Sequence, residues 1–336
     1  MLSRFPRLRS ARSGALGIPR LTAALVPLSA LGVLVARPAA AQSLVARADT
    51  LLIAGRVFAA ESLYYDAVRM DPRNPATRLA LGRYLAERGA LRVGAVLMEE
   101  ARYFGGDPAE VARQLAPVYE RMRAYGALAA LPASPLPYPE RVRAEWLRDH
   151  PPTVTGPDSG AAPYEVSDSH PLGQVELRIG GDTVRATIDA RVRGLVVDTS
   201  WVRRSDVRHW ASRGERDPRR MAGVVPSVGI GGFVLGNVVA RFAPLRSPTT
   251  PVIGLDVLAR LAPTFDPKSG RVLLRADGRV PRDLRGWRIS TLDSEDGLFV
   301  VKSRTLFPVA HPDVQRYLHA ARWTLDERRG EIVVEL

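Results

Sequence analysis

Residues 175–197 read VELRIGGDTVRATIDARVRGLVV. Apolar and polar side chains alternate from Val175 to Ile179, which is the period of a strand with one buried face. Two glycines at 180–181 allow a tight turn, and a second alternating strand then runs to Asp189. The stretch therefore predicts a β-hairpin that ends in a carboxylate and is followed by a third apolar run. A carboxylate in this place is either a catalytic acid or a solvated turn residue, and the pattern leaves both readings open.

Three further blocks follow this hairpin along the chain. A glycine-rich hairpin, VGIGGFVL, spans residues 228–235, and the loop VIGLD at 252–256 leads into a short helical pattern. A last hairpin, TFDPKSGRVLL, covers residues 264–274. The order of the blocks resembles that of a retropepsin-like aspartic protease domain, in which an IGG hairpin and a strand with the catalytic Asp precede a glycine-rich flap and an I-G-x-Asp/Asn loop. The resemblance covers about residues 172–275.

The resemblance implies which residues would carry the function. Asp189 would be the catalytic acid, and the glycine-rich hairpin would be a flap over the substrate; a static hairpin is an equal alternative. The substrate-binding residues would then be Gly229, Ile230, Gly231, Gly232, Phe233, Ile253 and Gly254. Asp256 and Asp266 are expected as turn-forming residues rather than catalytic ones.

The motif around Asp189 departs from the family. The family has Asp-Thr/Ser-Gly, whereas this chain has Asp189-Ala190-Arg191, which lacks the bracing hydroxyl and replaces the glycine by a large cation. A cation beside Asp189 lowers the pKa of that carboxyl. Aspartic proteases need two carboxylates that share one proton around a water, and the sequence contains no second Asp-Thr-Gly. The motif therefore predicts weak or absent hydrolysis.

A near match to the family motif, Asp198-Thr199-Ser200, is kept as an alternative. It lies nine residues after Asp189, so its spacing from the IGG hairpin fits the family less well. Trp201 follows it where the family has a small residue.

Composition excludes several classes of site. The chain has no cysteine, so disulfides, thiol catalysis and cysteine metal ligands are ruled out. The five histidines show no metal-binding spacing, and we expect neither a metal nor a cofactor. The formal net charge is +13, but the arginines form no basic stripe with interleaved aromatic residues, so nucleic-acid binding is not expected. The arginine-rich stretch 202–222 predicts a solvated face.

The N-terminal residues 1–41 have the pattern of a secretory signal peptide. Arginines precede an apolar run over residues 21–36, and Ala39-Ala40-Ala41 before Gln42 offers a cleavage site. The apolar run is short for a membrane-spanning helix. We therefore expect an exported protein, periplasmic or extracellular, that begins at or near Gln42 and has no membrane span. Removal of the six arginines before position 42 would lower the net charge from +13 to +7.

Residues 42–130 predict tetratricopeptide-like helical repeats. A first unit has small and aromatic residues at the spacing of the repeat: Gly55, Ala60, Tyr64, Ala67 and Pro72. A second unit continues the period with Leu81-Gly82, Gly89 and Ala101. Stacked repeats of this kind present a groove for a peptide or protein ligand, and a helical spacer without a ligand is an equal alternative.

Three segments complete the predicted organisation. Residues 131–165 are rich in proline and predict an extended linker with a short helix. Residues 166–276 form the retropepsin-like domain, and residues 277–336 form a C-terminal β extension. The extension matches the last hairpin of that domain at an offset of 60 residues, with Thr264, Asp266 and Gly270 opposite Thr324, Asp326 and Gly330. The match indicates either a truncated second half-domain or a chance recurrence of a common hairpin.

The fold class expected is therefore multidomain, with all-α tetratricopeptide-like helical hairpins followed by an all-β retropepsin-like acid-protease barrel. The function expected is that of an exported, catalytically degenerate protease homologue that binds a peptide or protein. The alternative is an active aspartic endopeptidase that works as a homodimer, with Asp189 from each protomer. A third class, a structural repeat protein of the envelope, would bind no peptide.

Overall fold

The computed structural model describes residues 29–132, 134–302 and 305–335. Within these residues the N-terminal part is helical and the remainder is a β-barrel region. The N-terminal helices are α1 (Ser29–Ile53), α2 (Val57–Met70), α3 (Pro75–Glu87), α4 (Leu91–Tyr103), α5 (Pro108–Arg121), α6 (Tyr125–Ala129) and α7 (Tyr138–Asp149). Residues 1–28, most of the expected export signal, lie outside the described residues, and residues 29–41 belong to α1. The described helices include none that is long and apolar enough to cross a membrane.

Local sequence signals begin two of these helices. Asn74 caps α3 by accepting hydrogen bonds from two backbone N–H groups of the first turn, and Pro75 follows at the first helical position. Asp107 and Pro108 begin α5 in the same way. Each cap satisfies backbone donors that the helix itself leaves without a partner.

Consecutive helices pack against each other as hairpins, α1 with α2 and α3 with α4. Small residues allow the second of these contacts, because a Cβ atom on Gly94 would lie 2.6 Å from the carbonyl oxygen of Gly82. Gly89 joins α3 to α4 with a φ of 88°, which favours glycine. The N-terminal part is thus built of helical hairpins, as the sequence predicts, without a feature that is specific to tetratricopeptide repeats.

The barrel region contains two further helices, α8 (Leu255–Leu258) and α9 (Pro312–Ala320). Its strands are β1 (Thr153–Thr155), β2 (Ser159–Ser167), β3 (His170–Ile179), β4 (Asp182–Asp189), β5 (Leu195–Asp198), β6 (Arg208–Trp210), β7 (Ala222–Ile230), β8 (Phe233–Ala243), β9 (Val252–Gly254), β10 (Thr264–Asp266), β11 (Arg271–Arg275), β12 (Trp287–Ser294), β13 (Gly297–Lys302), β14 (Thr305–Pro308), β15 (Trp323–Asp326) and β16 (Glu331–Val334).

The predicted hairpin is formed by β3 and β4, with Ile179 opposite Asp182. β4 then runs parallel to β9, and Asp189 lies opposite Gly254. β5 lies on the other side of β9 and pairs in parallel with β8. Because parallel strands end at the same edge of a sheet, the segments after β4 and β9 meet there. This edge carries Asp189.

Six neighbouring strands of the sheet, in the order β2–β11–β10–β15–β16–β12, join the barrel to the C-terminal extension. At their centre Thr264 of β10 pairs with Thr324 of β15, and their hydroxyl oxygens are 2.7 Å apart in a buried hydrogen bond. The aromatic rings of Phe265 and Trp323 stack beside this pair with centroids 4.1 Å apart. The two hairpins that match at an offset of 60 residues are therefore neighbours within one chain, and the extension completes the sheet.

The helical part and the barrel share a hydrophobic core. Leu131 and Leu147 are buried in the same cluster as Val224 of β7, and the indole rings of Trp146 and Trp210 lie 5.6 Å apart beside it. The segment 131–165, expected as an extended linker with a short helix, contains that helix as α7 and also contains β1 and most of β2. Its proline residues did not keep it extended because its apolar side chains are buried against both parts.

Candidate functional site

Asp189 ends β4 at the position that the sequence predicts for a catalytic acid. Its side chain is 25% exposed. Next to it Ile253 is fully buried, and a side chain at position 254 would collide with the 192–194 loop, which accounts for Gly254. The structure therefore brings Asp189, Ile253 and Gly254 together, whereas their roles in catalysis and binding stay predictions.

The carboxylate of Asp189 is held by Arg191. The guanidinium donates hydrogen bonds to both carboxylate oxygens, at 3.1 Å and 2.8 Å, and the backbone N–H of Arg191 donates a third at 2.9 Å. Burial alone would raise the pKa of Asp189, but these hydrogen bonds and the positive charge of Arg191 hold the pKa below its ordinary value. Asp189 is therefore an ionised carboxylate with a local counter-ion.

The 189–191 loop is covered by the C-terminal extension. Gly297, which begins β13 directly after the β12–β13 turn, lies so close that a Cβ there would come within 3.0 Å of Arg191 Cγ and 3.3 Å of the carbonyl oxygen of Ala190. Ala190 itself is buried, and its methyl group offers no hydroxyl to either side. In this chain the Asp189 loop thus packs against a turn that carries no motif like its own.

The glycine-rich hairpin does not lie over Asp189. Gly229 pairs with Arg178 of β3, and Arg178 on its other side pairs with Thr183 at the start of β4. Thr183 and Asp189 are separated by the length of β4, about 20 Å at 3.3 Å per residue. The hairpin tip packs instead against β2, because a Cβ on Gly231 would lie 2.9 Å from the backbone of Ala161.

This placement corrects the expectation of a cover over Asp189. The residues of this hairpin lie neither at the strand end that carries Asp189 nor in contact with the 189–191 loop. They are Gly229, Ile230, Gly231, Gly232 and Phe233. Ile230 and Phe233 are buried in the barrel core, so the apolar side chains that suggested a substrate contact serve packing. The proposed binding role of these residues has no geometric support beyond their sequence pattern.

Asp198, the alternative motif, is a capping residue. Its carboxylate accepts hydrogen bonds from the backbone N–H groups of Ser200 at 2.9 Å and Leu245 at 3.0 Å. The first of these bonds caps the short 3₁₀ turn 199–203. Both oxygens are occupied by backbone donors, which accounts for this buried aspartate without a catalytic role.

A large cavity lies between the helical part and the barrel. It has a volume of about 660 Å³, which is the size of a small-ligand site. Its lining comes from α3 and α5, from the loops after β4 and β9, and from the β12–β13 and β15–β16 turns. We call it the junction cavity. Asp189 does not line it, although Arg193 and Gly194, a few residues further on, do.

One wall of the junction cavity is a buried ion cluster. Asp293 of β12 lies between Arg121 of α5 and Arg193, and it forms ion pairs with both guanidinium groups. Asp256 of α8 accepts hydrogen bonds from the backbone N–H of Gly194 at 3.1 Å. The cluster therefore ties the helical part to the loop after Asp189 and to the C-terminal extension.

Three carboxyl groups of this wall have raised pKa values. Burial raises the pKa of Glu87 and of Glu327 to about 7 in each case, against the attraction of Arg121. Burial likewise raises the pKa of Asp256, against the attraction of Arg193. Perturbed groups of this kind are typical of binding and catalytic sites. The described residues include no group of three or more His and acidic side chains arranged to hold a metal ion.

Sequence reasoning missed this cavity. Its charged residues come from segments that are far apart in the chain, so no local spacing announces them. The sequence predicts a turn-forming role for Asp256, whereas its carboxylate accepts hydrogen bonds from Gly194 and so bridges two loops that are distant in the chain. The sequence pattern that could have indicated this cavity is an acidic residue close to a glycine at a loop end, as in Gly254-Leu255-Asp256. This pattern is too common to identify a site.

Comparisons with known proteins give a weak structural likeness. No protein-family model and no curated protein matches the chain. Among solved structures it is similar to a retropepsin-like aspartic protease from Rickettsia conorii, with 13% sequence identity over 37% of this chain and 93% of that chain and a TM-score of 0.26. The helical N-terminal part followed by a β-barrel region is compatible with a retropepsin-like barrel.

Proposed function

We propose that the protein binds peptides that carry charges of both signs in the junction cavity and does not hydrolyse them. The observation that carries the proposal is the cavity of about 660 Å³ between the helical part and the barrel, whose lining contains both arginines and carboxylates. A peptide carries both positive and negative groups, which can pair with the carboxylates and arginines of the lining. Charges of both signs in a concave site fix the orientation of the ligand and make its binding specific.

The absence of hydrolysis follows from the surroundings of Asp189. The acid-protease mechanism needs one carboxyl of a pair to be protonated, whereas Arg191 stabilises the ionised form of Asp189 through three hydrogen bonds. The pKa of Asp189 is lowered rather than raised. An ionised carboxylate with its own counter-ion does not readily act as the general base that a bound water requires.

The alternative is an endopeptidase homodimer with Asp189 from each protomer. In the described chain β10 is paired along one edge with β11 and along the other with β15. A dimer formed through the edge of β10 would have to displace β15 and break the Thr264–Thr324 hydrogen bond. This requirement disfavours a dimer formed through β10.

A binding measurement with matched variants tests the proposal. The probe is a mixture of hexapeptides of random sequence, measured by equilibrium dialysis with mass spectrometry. Arg113 lines the cavity and pairs with Glu110, whereas Arg102 makes the same kind of i,i+3 pair with Glu99 outside it. Arg113→Trp places a large ring in the cavity and should reduce binding at least about tenfold, or about 1.4 kcal/mol. Arg102→Trp should leave binding unchanged.

Hydrolysis is tested on the same peptides. The wild-type protein should leave the mixture intact at acid and neutral pH, with and without pepstatin. Cleavage that Asp189→Asn abolishes would establish the endopeptidase instead. If both Trp variants bind the peptides as tightly as the wild-type protein does, the peptides bind outside the junction cavity.

Export belongs to the same proposal. The arginine-rich start, the apolar run and the alanines before Gln42 support removal of residues 1–41. N-terminal sequencing of the cell-associated protein should find Gln42 or a close neighbour as the first residue. Recovery of intact Met1 from the cytoplasm would exclude export by this signal.

A further inference from the structure

Three arginines that line the junction cavity form no ion pair with a described carboxylate, namely Arg123, Arg241 and Arg260, and the charge of Arg123 acts on Arg260. Most lining arginines are neutralised, as Arg121 and Arg193 are by Asp293. Arg123, which follows α5, and Arg260, which follows α8, form no ion pair with a carboxylate of the described residues. Two neighbouring positive charges at a cavity wall that form no ion pair favour a bound anion.

Arg123 and Arg260 line the same cavity, and the positive charge of Arg123 acts on Arg260. Burial and the neighbouring charge of Arg123 lower the pKa of Arg260 to about 10, so Arg260 stays protonated at neutral pH. Its side chain is anchored by a hydrogen bond that it donates to the backbone carbonyl of Thr153. The repulsion is therefore built into the fold, and a bound anion would relieve it.

Tyr125 supplies a third donor at the same place. It is buried at the start of α6, two residues after Arg123, and its ring lines the cavity. Burial raises the pKa of its hydroxyl to about 12, so the hydroxyl remains a neutral donor. It donates to no acceptor among the described residues. A phenol and two guanidiniums together can satisfy both oxygens of a carboxylate.

We propose that Arg123, Arg260 and Tyr125 form a carboxylate subsite that holds the free C-terminus of a bound peptide. The inference rests on the proposed peptide binding and adds the direction in which the peptide lies. Acidic residues elsewhere on the lining, Glu295 and Asp296 among them, form no ion pair with described residues. They are suited to a cationic side chain or amino group of the same peptide and disfavour a doubly charged phosphate.

The test compares two forms of one probe. The hexapeptide mixture is prepared with free carboxyl termini and, separately, with amidated termini. The wild-type protein should bind the free-acid form about 10- to 100-fold more tightly, which is the usual strength of charge-assisted hydrogen bonds at a partly buried site. Arg123→Gln and Arg260→Gln should each reduce this preference about tenfold or more and leave binding of the amidated form unchanged.

Arg216→Gln is the matched control, since Arg216 is also exposed, makes no ion pair among the described residues and lies outside the cavity lining. It should keep the full preference. Binding of the amidated form reports whether each variant is folded, and Arg123→Gln removes an exposed side chain that makes no hydrogen bond or ion pair with a described residue.

Three outcomes would overturn the inference. Equal binding of the free-acid and amidated forms would remove the carboxylate subsite while the proposed peptide binding stands. Failure of both forms to bind would refute the peptide binding itself. Displacement of bound peptide by inorganic phosphate at a concentration where acetate has no effect, with no preference between the two peptide forms, would assign the three donors to a phosphate.

Discussion

Replacing Glu87 by glutamine tests the electrostatics of the junction cavity. Glu87 ends α3 and lines the cavity, where burial raises the pKa of its carboxyl to about 7 despite the attraction of Arg83 and Arg121. Asp293 and Glu295 add repulsion. Above neutral pH the carboxylate of Glu87 is therefore ionised in a buried place, which lowers the free energy of unfolding. The neutral amide of glutamine avoids this loss of stability. We expect Glu87→Gln to stabilise the protein in that range.

The magnitude follows from the two pKa values of the group. An ordinary glutamate ionises at 4.5, and Glu87 in the folded protein ionises at about 7. At about 1.4 kcal/mol per pH unit, the ionised carboxylate lowers the free energy of unfolding by about 3 kcal/mol above pH 7. Because the folded state binds the proton more tightly than the unfolded state, the penalty is absent below pH 4.5 and grows as the pH rises through the interval up to about 7.

Urea unfolding of both proteins at two pH values measures the effect. Glu87→Gln should raise the free energy of unfolding by about 3 kcal/mol near pH 8 and by about 1 kcal/mol or less near pH 5. Glu145→Gln, at an exposed carboxylate on α7, should change it by less than about 0.5 kcal/mol at both. Equal destabilisation by Glu87→Gln at both pH values would refute the reasoning, since it would mean that Arg83 and Arg121 stabilise the ionised form.

Other variants test the packing. Leu147→Ala, at a fully buried position in the shared core, should cost about 2–5 kcal/mol. It should leave a single unfolding transition by circular dichroism and tryptophan fluorescence; separate transitions would show that the helical part and the barrel unfold independently. Gly94→Ala should lower the melting temperature, because its Cβ would lie 2.6 Å from the carbonyl oxygen of Gly82; an unchanged value would mean that α4 shifts freely. Thr264→Val and Thr324→Val should each cost about 1–3 kcal/mol, and the double variant less than their sum, as a double-mutant cycle would measure.

The hairpin around Asp189 could be predicted because its determinants are local. The alternation from Val175 to Ile179, the two glycines of the turn and the second alternating strand specify β3 and β4, and the structure pairs Ile179 with Asp182 as that pattern requires. Local patterns likewise identified the last hairpin of the barrel and its match in the extension, 60 residues later. In the structure the two hairpins pair, with Thr264 opposite Thr324.

The position of the glycine-rich hairpin could not be predicted in this way. Its glycines specify a turn and say nothing about which surface the turn meets. That surface is β2, whose Gly160 and Ala161 accept the close approach of Gly231. The burial of the segment 131–165 could not be predicted for a related reason. Prolines restrict the backbone locally, whereas Leu131 and Leu147 are held by burial against residues of other segments. The junction cavity, which is made by several distant segments, has no local signature at all.

The lone aspartate and its arginine are consistent with the way this chain closes its own sheet. β15 occupies the edge of β10, and Gly297, at the start of β13, covers the 189–191 loop, so in the described fold Asp189 faces a surface without a second motif. A half-buried carboxylate in such a place needs a partner of opposite charge, and Arg191 provides it from two residues away. Removing the Arg191 side chain would leave the burial that raises the pKa of Asp189 without the guanidinium hydrogen bonds and charge that lower it, and only the backbone N–H of residue 191 would remain as a donor. Arg191→Gly is therefore expected to move Asp189 toward the neutral acid and to destabilise the loop at neutral pH, and not to create the shared-proton pair that peptide hydrolysis requires.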